Sequence, residues 1–189
     1  MKKVLLLLLA LAMIPNLSAQ TIRLPQEAKG TNYHEYSLDN SGFWCAIEGT
    51  VSSSVVTDHK NAQRGMASYV CGFRFNEYLR IGLGVGANYY FNGNENVRGN
   101  ESAFTVPVYF DVRGQMLSQY TREIVPYWSL DIGANFGDGF FVSPTIGMRI
   151  GQRRSAFLLG INYAVGEIKA LPKYPSTIHF VGLKLGYEF

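Results

Sequence analysis

Three histidines occur in this 189-residue chain, and two of them have neighbours with which they could do chemistry. His59 lies in a polar stretch and His179 near the start of the last apolar segment, with Ser52, Ser53, Ser54, Asp58 and Ser176 close in sequence or across a hairpin. A serine, a histidine and an acid within hydrogen-bond reach would make an activated nucleophile. Loops are ordinarily rich in Ser and Asp, however, so solvated loop residues are the plainer reading. His34 falls in a polar N-terminal stretch. No catalytic residue, metal site or cofactor is assigned.

A second set carries charge at even spacing. Read as strands, Glu48, Asp111, Asp131 and Glu188 fall on the same face as Arg74, Arg80, Arg113, Arg149 and Lys184. Five cations and four anions on one surface could select or bind anions. They could equally form a salt-bridged plug, because unpaired buried charges are costly. The plug is the expectation. Most of the nine lie toward one end; the other half of that face is expected to be neutral, with Asn88, Thr105, Asn135, Ser143, Thr145 and Asn162.

The remaining reactive groups are Cys45 and Cys71. If a hairpin is centred near residues 58–59, the two stand opposite each other on one face. Proximity is expected, and the pattern leaves open whether they are bonded.

These groups must be positioned by strands. Lys2 and Lys3, the apolar run 4–14 and the small-residue site Leu17-Ser18-Ala19 have the order of a secretory signal peptide, residues 1–19. Its apolar run is too short for a membrane-spanning helix, which needs about 20 residues. Without its two lysines the net charge falls from +3 to +1, and no basic patch suited to nucleic acid is present. Residues 20–40 read as an irregular N-terminal extension. From Ser41 onward helical periodicity gives way to period-two alternation.

The clearest alternation is at 79–91. Leu79, Ile81, Leu83, Val85, Ala87, Tyr89 and Phe91 share one face, while Arg80, Gly82, Gly84, Gly86, Asn88 and Tyr90 share the other. Thirteen residues at about 3.3 Å each, tilted by about 40°, cross an apolar band about 25 Å tall. Seven further segments repeat the pattern, at about 42–51, 66–75, 103–113, 125–136, 140–151, 156–165 and 177–189. Long polar connections (52–65, 92–102 and 166–176) follow the first, third and seventh segments, and tight turns follow the second and sixth. That is the alternation of outer loops and periplasmic turns, although 114–124 is long for a turn and 137–139 short for a loop.

The apolar face is sorted along its length. Aromatics such as Tyr89, Phe104, Phe136 and Tyr163 fall near one end, and Phe43, Phe73, Phe157 and Tyr187 near the other. Between them lie aliphatic residues, among them Ile47, Leu83, Ile146, Ile161 and Leu183. Two aromatic girdles around an aliphatic band suit a bilayer. The implied fold is all-β: an eight-stranded antiparallel up-and-down transmembrane β-barrel over 41–189. Pro107, Pro126 and Pro144 fall inside strands of a wall without edges, and a local bulge is expected at Pro107.

Taken together, the export signal, eight amphipathic strands and terminal Tyr187-Glu188-Phe189 resemble the small outer-membrane barrels of the outer-membrane protein A and X type. In that porin-like family the last strand ends in an aromatic residue preceded by alternating apolar positions, here Leu183, Leu185 and Tyr187 before Phe189. The resemblance implies a Gram-negative outer membrane as the location, its lipid as surroundings and the barrel-assembly machinery as a partner that reads the last strand. Such barrels serve as adhesins, anchors, channels and lipid-modifying enzymes, so an extracellular partner is not specified. The lipid A deacylase and palmitoyltransferase barrels would use a serine, a histidine and an acid at the outer mouth, but the spacings here do not match their motifs. Gly42-Phe43-Trp44 matches the short G-x-W opening of lipocalins, soluble carriers whose inner face is apolar; here the charges sit on the face opposite the apolar one. A non-enzymatic barrel that presents its loops outward is the expectation.

Overall fold

The computed structural model describes residues 41–55, 63–91, 104–119, 122–151, 154–167 and 177–189. The signal peptide and extension assigned to 1–19 and 20–40 lie outside the described residues. Eight strands form one closed antiparallel wall in chain order: β1 (Gly42–Ser54), β2 (Gln63–Arg74), β3 (Arg80–Tyr90), β4 (Phe104–Gln115), β5 (Ile124–Phe136), β6 (Gly139–Gly151), β7 (Ala156–Glu167) and β8 (Thr177–Glu188). β1 pairs with both β2 and β8, so the ladder has no open edge.

The register fixes the shape of the wall. Following ladder partners from Gly42 leads through Arg74, Arg80, Arg113, Ser129, Thr145, Asn162 and Gly182 to Ser52, ten residues further along β1. A stagger of this size in eight strands tilts them by about 40° and leaves an interior just wide enough for side chains. The shift is even, so every inward position stays inward around the circuit.

Alternation sorts the two faces. Trp44, Val70, Tyr90, Tyr109, Tyr127, Phe141, Leu158 and Phe180 are buried inside, together with many polar residues. Phe43, Ile47, Leu83, Phe110, Ile146, Ile161 and Leu183 stand exposed outside. Such an exterior suits hydrocarbon and is unlike the surface of a water-soluble barrel. Toward one end Phe73 meets Phe75 edge-on at 5.3 Å and Phe157 meets Tyr187 at a tilt at 5.0 Å; toward the other Tyr89 meets Phe91 edge-on at 5.6 Å.

The prolines are accommodated without the bulge expected at Pro107. Val85–Val108 and Asn88–Thr105 share one register, so no extra residue is inserted between them, and Pro107 still pairs with Asn135 on β5. The ladder skips its pairs on the β3 side only, where Pro107 lacks its N–H. Gly86 faces it there: a Cβ on Gly86 would come within 3.2 Å of the proline ring. Pro144 repeats the arrangement. It pairs with Leu130 on β5, and the ladder to β7 skips from Val142–Val165 to Thr145–Asn162 in unchanged register.

The connections explain the two exceptions noted in the sequence. β5 and β6 are joined by Gly137-Asp138, a tight turn in which Gly137 takes a φ of 105° and Asp138 N–H bonds the Asn135 carbonyl at 3.0 Å. The long β4–β5 connection turns back on the barrel, and Gln119 is buried there. At the β2–β3 turn the Asn76 side chain accepts from the N–H groups of Tyr78 and Leu79, both at 2.8 Å.

Candidate functional site: the charged lumen

Strand alternation carries all nine sequence-assigned charges into the lumen, and all are buried. Ladder neighbours carry like charges. Arg74, Arg80 and Arg113 are successive partners on β2, β3 and β4, and Asp111 faces Asp131 on β4 and β5. Opposed like charges destabilise a sheet unless something neutralises them. Most of the neutralising groups reach across the barrel from other strands; Asp111 alone is paired within its own strand.

Glu188 on β8 is the centre of one cluster. Its carboxylate accepts from Arg74 at 2.6 Å, from Arg80 at 2.6 and 2.8 Å, and from Arg149 at 3.1 Å. Gln119 adds a hydrogen bond with Arg149, accepts another from Gln115 at 3.0 Å and donates to the Gly151 carbonyl at 2.6 Å. The β4–β5 connection is thereby tied to the base of the lumen.

A second cluster lies around Glu48 on β1. Glu48 pairs with Arg113 at 2.7 Å and with Lys184 at 2.8 Å, while Lys184 also reaches Asp131 on β5 at 3.0 Å. Arg113 pairs in addition with Asp111, and its guanidinium lies 4.5 Å from the centre of the Trp44 ring. Buried ions must offset their desolvation, and here the shared pairings supply opposite charge to each, although Asp111 Oδ1 and Asp131 Oδ1 accept no hydrogen bond from the described residues.

Toward the opposite end, Asn162 donates to Ser143 at 2.7 Å and to Thr145 at 2.9 Å, and Asn88 donates to Thr105 at 3.2 Å. The expectation of a neutral outer half is corrected by two charges. Arg64 is buried, donates to Ser52 at 3.2 Å and lies 4.5 Å from the Phe180 ring centre; Asp138 is buried and accepts from the Tyr90 hydroxyl at 3.0 Å. Both were missed because β2 begins at Gln63, three residues before the expected start, and because Asp138 sits in a turn. The alternation of β2, continued by two residues, places Arg64 inside.

Of the residues suggested for acid–base chemistry, only Ser52, Ser53, Ser54 and His179 are among the described residues. His59, Asp58, Ser176 and His34 lie outside the described residues. His179 points outward, where its Nδ1 is 2.6 Å from the Tyr163 hydroxyl and the two rings stack at 5.9 Å. Ser52 and Ser54 are buried on the opposite face of the wall, whereas Ser53 lies on the outward face as ladder partner of Val181, two residues from His179. Among the described residues no group of acids, histidines and cysteines could hold a metal ion.

The cysteines and the terminal strand meet at the seam. Cys45 and Cys71 are ladder partners joined by a disulfide, with Cα atoms 4.2 Å apart. On its other side Cys45 exchanges two backbone hydrogen bonds with Phe189, each 2.9 Å. Leu183, Leu185 and Tyr187 stand exposed on the outer face of β8.

No protein-family model matches this chain, and no curated protein sequence matches it. Among solved structures it is similar to the crystal structure of Neisserial surface protein A, with a TM-score of 0.59 and 10% sequence identity, over 78% of this chain and 97% of that one. At that identity the likeness is one of fold: this chain has the closed antiparallel architecture of an eight-stranded outer-membrane barrel.

Proposed function

We propose that this protein is a non-enzymatic barrel of a Gram-negative outer membrane, exported through its N-terminal signal, with a lumen plugged by its own charge network and the connections 55–62, 91–103 and 168–176 presented outward for structural, adhesive or binding roles. One observation carries the reading: the wall is apolar outside, whereas its inside buries nine charges in ion pairs, all but Asp111–Arg113 crossing from strand to strand. Ion pairs of that kind hold the walls together, and the surface left for recognition is the loops. Outer-membrane lipid surrounds the wall, and the barrel-assembly machinery engages β8 through Leu183, Leu185, Tyr187 and Phe189.

Single cysteines introduced for labelling test the location and orientation. Asn100→Cys lies in an outer loop and Ser155→Cys at the opposite end. A membrane-impermeant maleimide on intact cells is expected to label the first and to reach the second only after the outer membrane is permeabilised. Labelling of both alike, or recovery of the protein without detergent, would overturn the proposal.

A further inference from the structure

The Cys45–Cys71 disulfide lies on the outward face of the wall, between the aromatic pair Phe43–Phe73 and the aliphatic band that begins at Ile47. Both residues are on the outward face, Cys45 between Phe43 and Ile47 along β1 and Cys71 between Tyr69 and Phe73 along β2, with Leu83 as the β3 partner of Cys71. Phe43, Ile47 and Leu83 are 72%, 56% and 58% exposed on that face. Disulfide exchange requires a thiolate, and an unpaired charge in hydrocarbon is strongly disfavoured. The same Cys45 also receives β8 through its paired hydrogen bonds with Phe189. One residue of β1 is therefore joined covalently to β2 and by the ladder to the strand that closes the wall.

We propose that a disulfide-bearing oxidoreductase makes this bond in water, before the hairpin enters the bilayer, and that the linked β1–β2 hairpin is the preformed edge on which β8 closes. The Cys45 thiolate attacks one sulfur of the oxidoreductase disulfide and releases the other as a thiolate. The Cys71 thiolate then displaces the enzyme from the mixed disulfide. The two thiols of this chain lose two electrons and two protons, and the oxidoreductase disulfide is reduced to a dithiol. A link across the 26-residue separation narrows the unfolded ensemble and fixes the register of the pair. After insertion the apolar surroundings keep charged reductants away.

The inference rests on the outer-membrane reading above, and its test separates the two. The oxidised chain, the reduced chain and the double variant Cys45→Ser/Cys71→Ser are refolded from urea into phosphatidylcholine vesicles without oxygen, and folding is followed by the shift of the folded band on unheated gels. The oxidised chain is expected to fold about tenfold faster than the other two, which should match each other. Tris(2-carboxyethyl)phosphine, a charged reductant, is expected to cleave the bond in urea and to leave it intact in the inserted barrel. Equal folding rates would overturn the preformed edge, and ready reduction in the inserted barrel would overturn the requirement for water. Insertion by the oxidised chain alone would support the proposal; failure of the oxidised chain to enter vesicles would defeat the outer-membrane reading itself.

Discussion

Asp111 and Asp131 face each other as ladder partners on β4 and β5, two buried carboxylates side by side inside the wall. Neither is neutralised along the ladder that joins them to each other. Arg113, two residues along β4, takes Asp111, and Lys184 crosses from β8 to take Asp131. The arginines on β2 to β4 follow the same rule, with Glu188 and Glu48 supplying the opposite charge from β8 and β1. Apart from the Asp111–Arg113 pair within β4, these charges find their partners only when distant strands are brought round to face one another, so the network favours closure in one register.

The network ranks its own members. Glu48 pairs with both Arg113 and Lys184, which keep Asp111 and Asp131 if it is lost, whereas Asp131 pairs with Lys184 alone among the described residues. Glu48→Gln is expected to destabilise the barrel by about 2–3 kcal/mol, because two ion pairs are lost at once although each cation keeps a second carboxylate. Asp131→Asn is expected to destabilise it as well, but by less, because it also relieves the repulsion with Asp111. Urea unfolding in vesicles measures both, and a larger loss for Asp131→Asn would show that the clusters are wrongly apportioned.

Lipid contact makes a second ranking. Leu83 and Ile161 are 58% and 64% exposed on the outer face, well inside their strands. Arginine at either position is expected to cost about 2–4 kcal/mol near the bilayer midplane, while Gln63→Arg at the exposed start of β2 should cost about 0–1 kcal/mol. Similar costs at all three positions would contradict the assignment of the apolar face to lipid.

A third prediction concerns the space that glycine leaves for an aromatic ring. Gly84 and Tyr109 are ladder partners, and a Cβ on Gly84 would overlap the tyrosine ring, which meets Phe141 edge-on at 5.8 Å. Gly84→Ala must displace that ring, at a cost of about 1–3 kcal/mol. Combining it with Tyr109→Ala should cost less than the sum of the single changes, since the clash is then gone. Additive losses in a double-mutant cycle would show that the ring does not depend on the glycine.

How much of this was legible in the sequence depends on the length scale of each feature. Period-two alternation is local, so eight strands, their facing and the inward set from Glu48 to Glu188 could be read from residue types alone. Arg64 was hidden because an arginine in a polar stretch reads as a loop residue until the strand is seen to continue. The accommodation of Pro107 was also beyond local reading: the fault is absorbed by Gly86 on another strand, and pairing across strands follows from the closed register. The role of Gln119 depends on a connection folding back onto the base of the barrel, for which no periodic signal exists.

The last prediction is that the barrel does not conduct ions appreciably. Eight strands enclose an interior that side chains can fill. Trp44, Tyr109, Tyr127 and Phe180 occupy it along with the charged groups, all of them buried. The clusters around Glu188 and Glu48 pair their charges with one another, and Gln119 links the base cluster to the Gly151 backbone. Toward the other end Arg64 sits against Phe180, and Tyr90 bonds Asp138. A hydrogen-bonded network of this kind blocks a path that a row of unpaired charges would line. Planar-bilayer recording of the folded protein is expected to show no steady steps. Anion-selective steps that disappear when Arg80 and Arg113 are replaced would demonstrate a working pore and overturn the plug.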